Sequence, residues 1–156
     1  MTPTETSLSG VGRSSLVPIS RPLREEPVMH PLSGYLIVFL GSGLGGALRH
    51  AVNVIVPRLL GSDYPYSTIL VNVGGSFIMG LMAGWFAFRG DSAQGWRLFL
   101  ATGILGGFTT FSTFSLDAAL LWERGESWNV ALYVVSSVAL ALGAIIGGLG
   151  VMRLME

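Results

Sequence analysis

Four long apolar stretches constrain what this chain can fold into. They run over residues 35–56, 67–88, 98–122 and 128–154, and each holds at least 22 residues with few charges. About 20 apolar residues in an α-helix, rising roughly 1.5 Å each, cross a hydrocarbon core of about 30 Å. Short polar segments with proline or glycine connect the stretches. The pattern therefore predicts an all-α membrane protein with four transmembrane helices.

Composition excludes several other classes of protein. Only 12% of the 156 residues are charged and the net charge is zero, so no basic surface for nucleic acid is expected. The chain has no cysteine, which excludes disulfides and thiolate metal sites. Nearly every residue after position 33 belongs to an apolar stretch or a tight turn. No soluble catalytic domain fits, and we do not expect an enzyme.

The first 33 residues differ from the rest of the chain. They hold five of the seven prolines, three arginines and three glutamates, and they lack the apolar core of a secretory signal. We interpret residues 1–33 as a flexible polar tail and residues 34–156 as one transmembrane domain. Without the tail, the arginines are almost evenly divided between the two ends of the spans. The positive-inside rule therefore fixes no orientation for the domain.

Fifteen of the 22 glycines lie inside the four stretches, and each stretch carries a GxxxG pair. Such pairs let two helix backbones approach closely in lipid, where no hydrophobic force drives helices together. Glycine is also common in membrane helices, but a pair in every span favours a tightly packed bundle. Four helices enclose little volume alone, so we expect an oligomer. The pairs are Gly41/Gly45, Gly80/Gly84, Gly103/Gly107 and Gly143/Gly147.

Polar residues inside the spans are candidate functional residues, because they are costly in lipid. Asn72 and Ser76 lie four residues apart and share a face of the second helix. Tyr133 and Ser137 have the same relation on the fourth helix. Each pair either bonds to a neighbouring helix or lines a wet path, and the sequence leaves both readings open.

Ionisable residues are scarce inside the spans. Arg49 and His50 lie late in the first span and Asp117 near the end of the third, so none is expected at mid-membrane. Arg49 either extends to the interface or attracts anions at a vestibule. A proton-coupled multidrug transporter, another kind of four-span dimer, would need a carboxylate at depth. The first span, residues 35–56, contains no acid.

The third span contains the run GGFTTFSTFS over residues 106–115. Glycine and β-branched threonine are poor helix formers, so this run predicts a break at mid-span. A break would free backbone carbonyls that need a partner at membrane depth, and a cation is one candidate. Alternatively, the hydroxyls bond back to the preceding turn and keep the helix intact. Phe111 and Phe114 share a face, either as packing or as ring edges that meet an anion.

Three motifs extend these observations along the chain: Gly41-x-x-x-Gly45-Gly46-Ala47-x-Arg49, Val71-Asn72-x-x-Gly75-Ser76-Phe77-x-x-Gly80, and Gly103-x-x-Gly106-Gly107-x-Thr109-Thr110-Phe111-Ser112-Thr113-Phe114. Together they resemble the CrcB/Fluc family of fluoride channels, from about residue 34 to the end. The chain departs from the family pattern at His50, where an aromatic residue is frequent, and at Ala141, where some members carry a serine.

The resemblance implies an assembly and a metal. It implies an antiparallel, dual-topology homodimer with two pores, in which the third helix is broken at its centre. The carbonyls of Gly106 and Thr109 from both subunits would hold a structural Na⁺ at the dimer interface. The function implied is passive export of fluoride from the cytoplasm across a bacterial plasma (inner) membrane.

The resemblance also implies roles for pore residues. Ring edges of two phenylalanines would face the ion, an asparagine amide would donate a hydrogen bond to it, and hydroxyl groups would form a polar track. An arginine would lie near the vestibule. The expected pore residues are Asn72, Phe111, Ser112, Thr113, Phe114, Tyr133, Ser137 and Arg49.

Two other functions remain as alternatives to a channel. One is a small four-span proton-coupled multidrug transporter, against which the lack of an acid in the first span counts. The other is a non-transporting assembly subunit built on GxxxG packing. That subunit would tolerate alanine on the polar faces of the second and fourth helices.

Overall fold

A computed structural model describes residues 31–89 and 94–155 of the chain. The predicted polar tail therefore lies outside the described residues, except for its last three positions. The described residues are helical apart from short connections and one break. The helices are α1 (Pro31–Leu60), α2 (Tyr66–Arg89), α3 (residues 94–108), α4 (Phe111–Glu123) and α5 (Ser127–Leu154).

Four segments of the described chain are long and apolar enough to cross a membrane: Leu32–Leu60, Tyr66–Ala87, Gln94–Glu123 and Ser127–Leu154. The predicted number of spans is confirmed. The third segment contains both α3 and α4, which follow one another along the same path through the bundle. The loops at residues 61–65 and 124–126 lie at one end of the bundle, which we call the loop end.

Helix α1 continues four residues beyond the end expected from the sequence. Pro57 lies inside its last turn, where the ring keeps a helical φ but removes the hydrogen bond to the carbonyl of Asn53. The helix ends where Gly61 adopts a positive φ of 85° and its N–H bonds to the Pro57 carbonyl at 3.0 Å. Arg49 consequently lies 11 residues, about 16 Å, before the end of α1.

Glycine contacts hold α1 against α3. A Cβ atom built on Gly41 would lie 2.8 Å from the Cα of Gly103, and one on Gly107 would lie 2.8 Å from the Cα of Ser42. One on Gly45 would collide with the carbonyl of Ile104. Only glycine permits this backbone approach, so the predicted packing role of these pairs is confirmed.

Helices α2 and α5 form the second close pair. A Cβ on Gly80 would collide with the Ile145 carbonyl, and one on Gly148 with the Phe77 carbonyl. Gly143 and Gly147 behave differently, because a Cβ on either would meet no atom within 4 Å in the described chain. The GxxxG pair of the fourth span is therefore not its packing face within one subunit. Gly148, one residue along, has that role.

Residues Leu98–Leu105 of α3 form a π-helix. The wider turns of a π-helix place one additional residue in the segment relative to an α-helix. They keep Phe99, Gly103 and Phe108 turned toward the glycines of α1. The sequence analysis did not anticipate this segment.

Candidate ion pathway beside the helix break

The third span is interrupted at Thr109 and Thr110, as the glycine and threonine run predicts. Both residues are extended, with ψ angles of 158° and 117°. The last backbone bond of α3 joins the N–H of Thr109 to the carbonyl of Leu105 at 3.0 Å. Helix α4 then begins at Phe111 with Thr110 as its N-cap, whose Oγ1 accepts from the N–H of Thr113 at 3.2 Å.

The side chain of Asn72 on α2 holds the break from the neighbouring helix. Its Nδ2 donates to the carbonyl of Thr110 at 2.9 Å, and its Oδ1 accepts from the Thr110 N–H at 2.8 Å. An amide can make both bonds at once because it carries a donor and an acceptor side by side. Of the two readings left open for Asn72, bonding between helices is therefore realised. Its second amide hydrogen is not used in this pair.

The break leaves two particular carbonyls without their helical partners. The Thr110 N–H, which would bond to Gly106 in a continuous helix, is taken by Asn72. The Thr113 N–H, which would bond to Thr109, is taken by the N-cap hydroxyl. Gly106 is exposed, and a Cβ built on it would meet only the Ala101 carbonyl oxygen, at 3.8 Å. These oxygens are hard, neutral donors of the kind that fits an alkali cation.

Hydroxyl groups also bond back to the preceding turn on both sides of the break. Thr109 Oγ1 donates to the Leu105 carbonyl at 3.0 Å, and Ser115 Oγ donates to the Phe111 carbonyl at 3.0 Å. The two readings of this run are thus both partly right. Back-bonding supports the ends of α3 and α4, while the backbone between them is open.

A groove of about 360 Å³ lies beside the break, between α2, α4 and α5. Ser137 lies in its wall with 5% of its surface exposed, and its hydroxyl has no hydrogen-bond partner among the described residues. A buried hydroxyl without a partner is costly, so it is an available donor for whatever enters the groove. The polar and aromatic residues that line the groove include Asn72, Ser76, Thr110, Phe111, Phe114 and Ser137.

Aromatic rings form a continuous row from the groove to the loop end. The ring centroids of Phe111 and Phe114 are 5.4 Å apart, and those of Phe114 and Tyr133 are 5.2 Å apart. Tyr133 meets Tyr64 edge-on at 5.9 Å, and Tyr64 lies 4.9 Å from Tyr66. The predicted aromatic pair therefore belongs to a longer row. Phe111, at 78% exposure, is its open end.

Comparisons with known proteins identify the family of this chain. The family model described as "CrcB-like protein, Camphor Resistance (CrcB)" matches residues 36–149. The chain belongs to the CrcB family.

This chain covers almost the whole length of its curated relatives. "Fluoride-specific ion channel FluC 2" of Nitrobacter hamburgensis is 57% identical over 119 residues, which is 76% of this chain and 96% of the relative. "Fluoride-specific ion channel FluC" of Rhodopseudomonas palustris strain BisB5 is 59% identical over 119 residues, with the same shares. The protein of that name from Methylobacterium nodulans is 58% identical over 118 residues, which is 76% of this chain and 94% of the relative.

One carboxylate joins three helices of this CrcB chain. Asp117 Oδ2 on α4 accepts from the hydroxyl of Thr68 on α2 at 2.7 Å and from that of Tyr133 on α5 at 3.1 Å. The sequence analysis treated Asp117 as a residue near the end of its span. Its position six residues before the end of the third span at Glu123 fits that description, but its side chain points into the bundle. Tyr133 is completely buried, and its hydroxyl serves Asp117 and not the groove.

A second space, the loop-end cavity, has a volume of about 700 Å³ and opens beside the 61–65 loop. Thr68, Thr113 and Asp117 are among its lining residues, and none of the three lines the groove. Thr113, a predicted pore residue, faces this cavity. Its other polar and charged lining residues are Asn53, Ser62, Asp63, Tyr64, Ser67, Glu123 and Arg124.

Two predicted pore residues of the CrcB chain lie elsewhere. Ser112 is exposed, and its Oγ is 3.3 Å from the Thr110 hydroxyl. Arg49 is half-buried on α1, lines neither the groove nor the loop-end cavity, and has no hydrogen bond or ion pair within the described chain. It follows Gly45, which packs on the end of α3, by one turn. One subunit thus brings Asn72, Phe111, Phe114 and Ser137 together but not Arg49.

Proposed function

We propose that this chain forms a fluoride-selective channel that lowers cytoplasmic fluoride by passive export. The observation that carries the proposal is the groove beside the helix break, whose wall combines a buried, unpartnered hydroxyl with two phenylalanine rings. The family membership of the chain supports the proposed function, because curated relatives are named fluoride-specific ion channels. Passage through a channel changes no covalent bond, so the proposal includes no enzymatic activity.

Fluoride is small and strongly hydrated, and a pore must replace its water without holding it too firmly. In the groove, the Ser137 hydroxyl and the second amide hydrogen of Asn72 are the neutral donors that would do so. The ring edges of Phe111 and Phe114 carry partial positive charge and would contribute weaker contacts. Within the described residues, no lysine or arginine lines this groove, so no full positive charge would trap the ion there.

The working unit in our proposal is an antiparallel homodimer with two pores. Polar and small residues at the level of the break face outward from the single subunit, which is unfavourable against lipid. Thr102, Gly106 and Ser112 are exposed there, beside the exposed ring of Phe111. A second copy would cover this face. The nearly even distribution of arginines outside the tail supports insertion in both orientations.

A sodium ion would fit between the two copies. The carbonyls of Gly106 and Thr109 lack their helical partners, and one chain provides only these two of the ligands expected. Two chains related by a twofold axis would provide four neutral oxygens. Bound there, Na⁺ would supply a fixed positive charge near both pores. Replacing Na⁺ by N-methylglucamine should then lower the thermal stability of the detergent-solubilised dimer, whereas an unchanged stability would count against the ion.

Dual topology is testable because the chain has no cysteine. A cysteine introduced at the exposed position Ser62 would lie outside the spans, at the loop end. An impermeant thiol reagent added to intact cells should label only part of the molecules, since both orientations coexist. Complete labelling, or none before the cells are opened, would show a single orientation.

The function itself is testable in a bacterium that lacks its own fluoride exporter, where the chain would reside in the plasma (inner) membrane. Expression should restore growth in fluoride, and an Asn72→Leu/Ser137→Ala double variant should not. Failure of the wild-type chain to protect, at normal expression in the membrane, would reject the proposal. Protection against cationic dyes but not fluoride would favour the multidrug transporter.

A further inference from the structure

The side chain of Tyr64 reaches from the 61–65 loop into the helix bundle. Its ring meets that of Tyr133 edge-on, with centroids 5.9 Å apart and an interplanar angle of 86°. Tyr133 is the sixth residue after the start of α5 at Ser127, which is about 9 Å into that helix. Tyr64 is therefore not a surface loop residue, although the sequence analysis treated its segment as a connection.

The Tyr64 hydroxyl lies beside a second hydroxyl, that of Ser136 on α5, with which it interacts. Burial raises the pKa of the Tyr64 phenol above its ordinary value, and the nearby Ser136 hydroxyl offsets this only in part. The phenol is therefore protonated at physiological pH and keeps its hydrogen as a donor. Ser136 also donates weakly to the carbonyl of Tyr133, at 3.4 Å.

Tyr64 contacts both the loop-end cavity and the row of aromatic rings that leads to the groove. On one side Tyr64 lines the loop-end cavity of about 700 Å³. On the other side it touches Tyr133, which continues the row of rings toward Phe114. Tyr64 therefore lines the loop-end cavity while its ring contacts the row of rings that leads to the groove.

The charged residues that line the loop-end cavity are mostly acidic. Three carboxylates, those of Asp63, Asp117 and Glu123, line the cavity, against one guanidinium, that of Arg124. Arg124 is engaged by the Asp63 carbonyl at 3.3 Å and by Glu126 at 3.3 Å. An anion entering here meets more negative than positive charge, and neutral hydroxyls offer it hydrogen bonds at no cost in repulsion.

We propose that Tyr64 forms the outer end of the ion path at the loop end, where its phenol hydroxyl replaces part of the hydration shell of the entering anion, with Ser136 as a positioning residue for that hydroxyl. This inference rests on the proposed fluoride channel function and extends it to a residue in the first loop. The path would then run from Tyr64, past Asp117, to the groove at Ser137.

The test compares two variants that make the same chemical change. Tyr64→Phe removes the hydroxyl and keeps the ring contacts, whereas Tyr66→Phe removes a hydroxyl from the neighbouring, 42% exposed ring that lines neither cavity. Fluoride efflux from proteoliposomes should fall about three- to tenfold for Tyr64→Phe, the worth of one hydrogen bond, and stay at the wild-type rate for Tyr66→Phe. Ser136→Ala should also slow efflux. The Tyr64→Phe/Ser136→Ala double variant should slow efflux by no more than the two single fold-changes multiplied together.

Wild-type rates for both Tyr64→Phe and Ser136→Ala would overturn the inference. An equal loss in Tyr64→Phe and Tyr66→Phe, with lowered thermal stability in both, would also overturn it, because a structural role of the ring row would then explain the loss. Absence of fluoride efflux from the wild-type protein would instead reject the proposed function, and this inference with it. The wild-type measurement therefore distinguishes the two failures.

Discussion

Replacing Asn72 by leucine should unfold the region around the helix break before any other part of the bundle. Leucine has nearly the size of asparagine, so the change removes hydrogen bonding while leaving little space. It deletes the two bonds between the Asn72 amide and the backbone of Thr110, of 2.9 and 2.8 Å. Thr110 is 7% exposed, so water does not replace these bonds freely.

The expected magnitude follows from the groups left behind. The N–H and the carbonyl of Thr110 would both be buried without a partner, and each such group costs about 1–3 kcal/mol. The free energy of unfolding should therefore fall by about 2–6 kcal/mol. A helix that closes by taking the freed Thr110 N–H back to Gly106 would recover part of this loss. It would also remove a carbonyl that we assign to the sodium site.

Equilibrium unfolding of the detergent-solubilised protein, followed by far-ultraviolet circular dichroism, measures this change. Ser76→Ala is the matched control, because Ser76 lies one turn along the same face of α2 and lines the same groove. The Ser76 hydroxyl makes no hydrogen bond within the described chain. The free energy of unfolding of Ser76→Ala should therefore stay within about 0.5 kcal/mol of the wild-type value. An Asn72→Leu protein as stable as the Ser76→Ala protein would refute the reasoning.

Three further predictions concern packing, the rings and the half-buried carboxylate of Asp117. Gly45→Ala should destabilise the protein by about 1–3 kcal/mol in the same unfolding assay, because its methyl group has no space against the backbone of α3, whereas Gly43→Ala should not. Phe114→Ile should slow fluoride efflux by up to about tenfold through loss of the ring edge. Asp117→Ala should lower the free energy of unfolding by about 2–4 kcal/mol, because two buried hydroxyls lose their acceptor. Asp63 lines the same cavity but is exposed, so Asp63→Ala should leave the free energy of unfolding unchanged.

Each of these predictions has an outcome that contradicts it. Equal stability of the two glycine variants would show that α1 and α3 are not in contact at Gly45. An unchanged rate for Phe114→Ile would remove its ring from the ion path. If Asp117→Ala and Asp63→Ala had the same effect, the carboxylate of Asp117 would not be the link between the helices.

The sequence predicts those features that depend on neighbours along the chain. The four spans follow from runs of apolar residues, and the break follows from two glycines and two threonines within five residues. Glycine pairs four residues apart correctly predict the packing faces of α1, α2 and α3. Gly143 and Gly147 show the limit of this reasoning, because Gly148 is the residue that faces α2.

The features that the sequence did not reveal depend on residues far apart in the chain. Asp117 and Thr68 are 49 positions apart, and no local pattern shows that their side chains meet. Tyr64 lies in a short loop, and only the packing of Tyr133 shows that its ring turns inward. Asn72 could be recognised as polar and inward-facing, but its partner at Thr110 is set by the register of α2 against the break.

Fluoride and chloride efflux from proteoliposomes, recorded side by side with ion-selective electrodes on the purified wild-type protein, is the most direct test of the central claim. A path of neutral donors and ring edges beside the helix break predicts rapid loss of fluoride while chloride stays inside. Fluoride efflux no faster than that from protein-free liposomes, or chloride efflux at the same rate as fluoride, would contradict it.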